Sequence, residues 1–392
     1  MLIKVLSIFG TRPEAIKMAP LVKALKADSR FDSRVCVTAQ HRDMLDQVLQ
    51  IFDIQPDYDL DIMKDRQTLT DITINALSGL EKVIKELQPD IILVHGDTTT
   101  TFVGSLAAFY NKVQIGHVEA GLRTFNKYSP YPEEMNRKLT GAMADIHFSP
   151  TSTSKANLLR EGISERDIYI TGNTAIDALK TTVKKDFEFC SEALQKLDYG
   201  NKRIIMVTAH RRENLGQPLE NICRALRTIA DKHEDVEIVY AVHKNPAVRE
   251  TVFGILGGLP RVHLLDPLDV DEMHNLMDRC YMVLTDSGGL QEEAPSLGKP
   301  VLVLRTETER PEAIEFGTLK LAGVDEKEVT ELAERLLTDE NEYLRMSNAV
   351  NPYGDGNASA RIIESLLFHF GERKARPEDF QPELLVKQRH AE

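Results

Sequence analysis

The sequence predicts a doubly wound α/β protein built from two parallel-sheet, Rossmann-like domains, and three observations carry that prediction. Short apolar runs rich in Ile, Val and Leu recur along the chain and are continuous rather than alternating, as in strands buried on both faces of a parallel sheet. Segments of helical period separate the runs, and strand–helix alternation is the pattern of a doubly wound fold. The 392 residues are too many for one ordinary core and fit two.

The first series of runs covers residues 3–10, 34–40, 90–96, 113–119, 145–149 and 167–171. The second covers 203–209, 236–242, 261–265, 281–285, 301–304 and 318–322. Within the first series, Leu69, Ile72, Ala76, Leu80, Val83 and Leu87 share one face of a helix. Residues 177–202 are charged and carry no strand pattern, so the domain boundary is expected there. The expected organisation is an N-terminal domain over 1–176 and a C-terminal domain over 177–360. A C-terminal helix and polar tail over 361–392 then pack back on the N-terminal domain, the tail frayed at its end. In open α/β sheets ligands sit beyond the carboxyl ends of the strands. The residues just after each run are therefore the candidates, in a cleft between the domains.

Composition excludes several classes. Hydrophobic content of 42% and charged content of 28% are ordinary for a soluble globular chain. No apolar run approaches the ~18 residues of a membrane span. Met1-Leu2-Ile3-Lys4 leads straight into a strand rather than a signal peptide, so a cytoplasmic location is expected. Cys36, Cys190, Cys223 and Cys280 form no Cys-x-x-Cys pair and read as reduced core residues. A formal net charge of −13 argues against a nucleic-acid partner. An anionic ligand would then need local positive charge from helix N-termini or clustered Arg and Lys.

Three strand ends have the residues for such a ligand. Asp286-Ser287-Gly288-Gly289 follows a buried run, its glycines allow backbone N–H groups close approach, and Glu293 lies one turn on, in reach of ribose hydroxyls. The plain alternative is a tight strand-to-helix turn with a serine cap. Gly10-Thr11-Arg12-Pro13-Glu14 follows the first run and puts Arg12 and Lys17 near a helix start, where a diphosphate favours them. It matches neither a Gly-x-Gly-x-x-Gly nor a Walker loop, so dinucleotide and ATP readings lose support. Arg310 follows another run and is a candidate phosphate cation, or else an exposed ion pair. The loop over 266–273, with Leu268 and Met273, is a candidate cover for a base.

The candidate chemistry is acidic. Asp97, Glu119 and Glu133 follow or end strands of the first series, and His210 follows a strand of the second. Acids and a histidine at strand ends suit proton transfer at a sugar ring. Each acid has an alternative as an ion pair, Glu119 with Arg123 and Glu133 with Arg137. His95, His117 and Glu119 raise a metal site, but no third ligand at a metal-like spacing stands out, and neither metal nor cofactor is expected.

Taken together these segments resemble those of the non-hydrolysing UDP-N-acetylglucosamine 2-epimerases of bacterial cell-surface polysaccharide synthesis. The matching stretches are Gly10 to Lys17, His95-Gly96-Asp97-Thr98, His117 to Arg123, Pro132 to Arg137, His210 to Asn214, Asp286 to Pro295 and Glu309-Arg310-Pro311-Glu312, in one order over most of the chain. The resemblance implies a fold of the GT-B glycosyltransferase type. It implies interconversion of UDP-GlcNAc and UDP-ManNAc, by elimination of UDP to a 2-acetamidoglucal and re-addition. It carries over Asp97, Glu119, Glu133 and His210 as the acid/base set. Arg12, Lys17, Leu268, Met273, Ser287, Gly288, Gly289, Glu293 and Arg310, with Asp97, Glu119 and His210, carry over as UDP-sugar contacts. Gln40, His41, Arg66, Glu133, Arg211 and His243 carry over as an activating second UDP-GlcNAc site. Asp43 stands where close relatives often carry Gln, and Met273 where an aromatic is common. A homodimer is implied, with no membrane partner. A GT-B glycosyltransferase would share the nucleotide half, and a nucleotide-sugar sensor would lack turnover. The acid-rich first domain favours the epimerase.

Overall fold

The computed structural model describes residues 2–40, 42–64 and 66–383. Strands β1 (Ile3–Phe9), β2 (Phe31–Val37), β3 (Tyr58–Asp59), β4 (Ile91–His95), β5 (Gln114–Val118), β6 (Ile146–Ser149) and β7 (Ile168–Ile170) form one sheet. Its order is β3-β2-β1-β4-β5-β6-β7 and every pair is parallel. Strands β8 (Arg203–Thr208), β9 (Val236–Ala241), β10 (Val262–Leu265), β11 (Met282–Thr285), β12 (Val301–Val303) and β13 (Leu319–Leu321) form a second parallel sheet, ordered β10-β9-β8-β11-β12-β13. Both are Rossmann-like, as the run-and-helix pattern predicts.

The continuous apolar runs explain the burial. Ile91, Ile92, Leu93 and Val94 of β4 are all 0% exposed, since helices cover both faces of the sheet. The first sheet has one strand more than the apolar runs predict. β3 has only two residues, Tyr58 and Asp59, at the sheet edge, too short for an apolar signature. β2 starts at Phe31 rather than 34, because backbone pairing with Ile3 of β1 recruits the polar Asp32, Ser33 and Arg34.

One compact unit contains Met1–Thr181 and Tyr353–Gln381, and the other Thr182–Pro352. The sequence pattern alone places these changes at 176/177 and 360/361. Within the first unit, the helix Ala358–His369 buries Ile362, Ile363, Leu366 and Leu367, each burial contributing about 1.5–3 kcal/mol. The segment after it is docked as far as Phe380, and the end of the tail, 384–392, lies outside the described residues. Phe380 N donates to Ile170 O at 2.7 Å, Asp379 Oδ1 accepts from Ile170 N at 2.9 Å, and Lys155 pairs with Asp379. These bonds satisfy the open edge of β7, which would otherwise expose unpaired backbone groups. Cys36, Cys223 and Cys280 are buried, but Cys190 is exposed, contrary to its reading as a core residue. Among the described residues, no helix is long and apolar enough to cross a membrane.

Asp177 fastens the returning helix. Its carboxylate accepts from Ala358 N at 3.1 Å and Ser359 N at 2.8 Å, capping that helix from a distant part of the chain. Asp177→Ala should therefore lower the unfolding free energy by about 1–3 kcal/mol. Denaturant titration measures this, and an unchanged midpoint would show that the cap is idle.

Candidate active site

In each sheet the strand order reverses once, between β1 and β4 in the first and between β8 and β11 in the second. Such switch points are where open α/β sheets bind ligands. The motifs Gly10 to Lys17, His95 to Thr98, His210 to Asn214 and Asp286 to Pro295 fall at the loops leaving these four strands, while Glu119 follows β5 and Arg310 follows β12.

In the first unit, the loop after β1 holds Gly10, Thr11 and Arg12, and the loop after β4 holds Gly96, Asp97 and Thr98. A side chain on Gly10 would lie 1.9 Å from Thr38 Oγ1, so only glycine fits. The buried Glu14 joins the two loops. Oε2 accepts from Gly10 N at 3.0 Å, Thr11 N at 2.9 Å and Thr11 Oγ1 at 2.8 Å, while Oε1 accepts from Thr98 Oγ1 at 2.6 Å and Thr101 Oγ1 at 3.1 Å. Burial pushes its carboxyl above the ordinary 4.5, and these hydrogen bonds pull back against it. Thr98 Oγ1 also caps the helix Thr99–Tyr110 by accepting from Thr101 N, which sets Asp97 just ahead of a helix start.

The ion pairs the sequence offered for Glu119 and Glu133 are not the ones formed, and Arg137, the cation offered to Glu133, turns to Asp97 and Glu134. Asp97 Oδ2 pairs with Arg137 at 2.7 Å, and Asp97 O accepts from Asn136 Nδ2 at 2.9 Å. Arg123 pairs with Glu161 at 2.7 Å. Glu119 follows β5 at φ 62°, a left-handed conformation that costs a non-glycine residue about 1–3 kcal/mol and collects at functional sites. Its Oε2 accepts from the Lys17 ammonium and from Asn173 Nδ2 at 2.7 Å, and lies 3.8 Å from His95 Nε2. Burial raises the Glu119 carboxyl, but Lys17, His95 and Asn173 overcome it and hold the group below the ordinary range, as a carboxylate. Glu133 opens the helix Glu133–Met143, and its Oε2 is buried without a hydrogen-bond partner among the described residues.

Three buried histidines, His95, His117 and His147, back this site. Burial lowers His95 and His147 from 6.5 to about 4 and His117 to about 3. His117 Nε2 contacts Gly96 O at 2.7 Å, fixing the Gly96-Asp97 turn from behind. Among the described residues, no three His, Cys, Asp or Glu side chains are grouped to hold a metal ion.

The second unit repeats the arrangement with Asp286. Its Oδ2 accepts from His210 N and Arg211 N at 2.7 Å and from Asn214 Nδ2 at 2.9 Å, binding the loop after β8 to the loop after β11. The His210 ring stacks on that of His243, with centroids 4.9 Å apart. Ser287, Gly288 and Gly289 follow, and the helix after them is short, Leu290–Ser296. Arg310 lies over this turn: a side chain on Gly288 would meet Arg310 Nη1 at 3.0 Å, and Glu292 holds the guanidinium at 2.8 Å. The Glu293 carboxylate lies 3.6 Å from His274 Nε2. Leu268 is buried, and Met273 sits on the helix Val270–Arg279 rather than on the expected loop.

The candidate activator residues divide between the units. Gln40 is held by Gln67, whose Nε2 donates to Gln40 O at 3.2 Å, and Arg66 next to it is exposed with φ 55°. Arg211 and His243 flank His210 in the second unit. His41 and the Asp43 side chain lie outside the described residues.

From sequence alone Glu14 and Asn173 have no role of their own, and Asp286 enters only as the lead-in to the Ser287-Gly288-Gly289 turn. Asp286 directly follows a run and Asn173 comes two residues after one, so the strand-end rule points to both, but their hydrogen-bond partners lie far away in sequence.

The three histidines give a pH dependence with a definite sign. The unfolded chain takes up their protons near 6.5, and the folded chain does so only near 4 and below. The unfolded state therefore binds more protons in that window, and stability is lost as pH falls from 6.5 towards 4. Imidazole NMR should show three rings that stay neutral from about pH 8 to pH 5 while the unfolding midpoint declines below about pH 6.5. Three rings titrating near 6.5 would contradict this burial.

The chain is similar in sequence and fold to known proteins. A family model described as UDP-N-acetylglucosamine 2-epimerase matches residues 23–367. The UDP-N-acetylglucosamine 2-epimerase of Bacillus subtilis is 60% identical over 378 residues, covering 96% of this chain and 98% of that protein. A crystal structure from Listeria monocytogenes, 56% identical, superposes with a TM-score of 0.92 and covers 97% of this chain and 100% of its own. The UDP-GlcNAc 2-epimerase of Neisseria meningitidis, solved bound to UDP-GlcNAc, is 49% identical with a TM-score of 0.86, covering 93% of this chain and 100% of its own. Matches of this length and identity show that the chain belongs to the UDP-N-acetylglucosamine 2-epimerase family and is an isomerase.

Proposed function

We propose that this epimerase interconverts UDP-GlcNAc and UDP-ManNAc without hydrolysis, by eliminating UDP and adding it back. A base removes the C2 proton, the anomeric C–O bond breaks, and UDP leaves as the C1–C2 double bond forms. A proton then arrives on the opposite face of C2, and the β-phosphate oxygen reforms the bond to C1. The observation that carries this reading is Glu119, a buried carboxylate held ionised by Lys17 and Asn173 at the end of β5. An ionised, preorganised carboxylate suits proton acceptance or the stabilising of positive charge at the anomeric carbon.

Asp97, Glu133 and His210 complete the proposed acid/base set. The buried Oε2 of Glu133, without a hydrogen-bond partner among the described residues, has capacity for a substrate hydroxyl or amide. Ser287, Gly288, Gly289 and Arg310 are assigned to the diphosphate, Glu293 to the ribose, Leu268 and Met273 to the uracil, and Arg12 to the leaving group. The Lys17 ammonium is committed to Glu119, so its contribution to UDP-sugar binding runs through that pair. The bound UDP-GlcNAc of the Neisseria meningitidis relative supports the substrate. A second UDP-GlcNAc is assigned to Gln40, His41, Arg66, Glu133, Arg211 and His243 as an activator. A cytoplasmic homodimer supplying UDP-ManNAc for cell-surface polysaccharide completes the reading.

Incubation of the protein with UDP-GlcNAc alone should yield UDP-ManNAc. Free ManNAc and UDP would indicate a hydrolysing enzyme, and unchanged sugar would remove the reading altogether. Glu119→Gln and His210→Asn should lower kcat by on the order of 10²–10⁴ while UDP affinity holds. Turnover of UDP-ManNAc alone should show a lag that traces of UDP-GlcNAc relieve.

A further inference from the structure

Asn173 lies just past β7, is 2% exposed, and donates from Nδ2 to Glu119 Oε2 at 2.7 Å. Its amide orientation is fixed, because Oδ1 accepts from Ala175 N at 3.0 Å. A flipped amide would set its oxygen against the carboxylate and its NH2 against a backbone N–H, both repulsive. The donor must therefore face Glu119.

The backbone of Asn173 is pinned as well. Its N–H donates to Tyr353 O at 2.6 Å. Tyr353 opens the segment by which the chain re-enters the first unit. That segment passes so close that a side chain on Gly172 would lie 3.2 Å from Gly354 Cα. The contacts on Glu119 converge on one oxygen: Lys17, from the helix Arg12–Ala27, and Asn173 bond Oε2, and His95 of β4 faces the same atom. Oε1 lies on the side of Gly96, where a side chain on that glycine would meet it at 3.4 Å.

We infer that Asn173 is a positioning residue for the epimerisation, anchoring Glu119 Oε2 to the returning chain segment and turning Oε1 to the reacting sugar. The inference rests on the role of Glu119 proposed above. Left-handed backbone at Glu119 persists only where its surroundings over-determine it. Asn173 supplies that constraint on the side-chain end.

The test compares Asn173→Ala and Asn173→Asp with Glu119→Gln, measuring kcat, KM and the pH profile on protein checked for folding by thermal melting. Asn173→Ala should lower kcat by about 10- to 100-fold with KM within about threefold. Asn173→Asp sets a second carboxylate against Oε2, so the acidic limb of its kcat profile should move up by about one pH unit or more. A purely structural role would reduce the amount of folded protein and leave kcat per folded molecule, KM and the limb unchanged. That result, together with an inactive Glu119→Gln, overturns the inference. A fully active Glu119→Gln overturns the mechanism instead. Should Asn173→Asp not fold, the split between kcat and KM in Asn173→Ala decides alone.

Discussion

A buried carboxylate ties together the two loops at the switch point of each sheet, and the placement of Asp97 and His210 depends on this. Glu14 takes five donors from the loops after β1 and β4 and the first turn of the helix that follows β4. Asp286 takes three from the residues after β8. An unpaired buried carboxylate costs several kcal/mol, so each loop pair adopts the geometry that supplies donors. Backbone N–H groups are among them in both units, so the main chain itself is fixed. Asp97 and His210 each lie next to a loop residue bound in this way, or are bound themselves. Precise placement of these two groups thus follows from desolvation of their neighbours.

The same logic accounts for charge in a chain with a net charge of −13. The acids proposed for catalysis are not left to repel one another. Arg137 neutralises Asp97, and Lys17 neutralises Glu119. Burial keeps His95, His117 and His147 neutral and so spares the site three further charges. The proposed nucleotide-sugar substrate would then meet a field set by a few placed cations rather than by the overall charge.

Much of the fold was legible in the sequence because parallel strands buried on both faces leave an uninterrupted apolar signature. What escaped had no such signature. β3 is two residues of edge strand, and the polar half of β2 forms only because β1 lies beside it. The helix carrying Met273 begins earlier than the loop reading allowed. The acids were legible as residues at strand ends. Their partners were not: Lys17 meets Glu119 across 102 positions, and Asn173 meets it across 54. Local pairing with Arg123 was the natural guess, yet Arg123 is drawn to Glu161 instead. Such choices are made by tertiary packing, which spacing along a chain does not encode.

The central claim is that C2 loses its proton and regains one on the other face, and isotope exchange tests it most directly. Epimerisation of UDP-GlcNAc in D2O, followed by proton NMR and mass spectrometry, reads the label at C2. A planar intermediate served by different groups on its two faces predicts UDP-ManNAc carrying one deuterium at C2, with label entering the UDP-GlcNAc pool as equilibrium is approached. UDP-ManNAc formed with its original C2 proton fully retained would contradict the account.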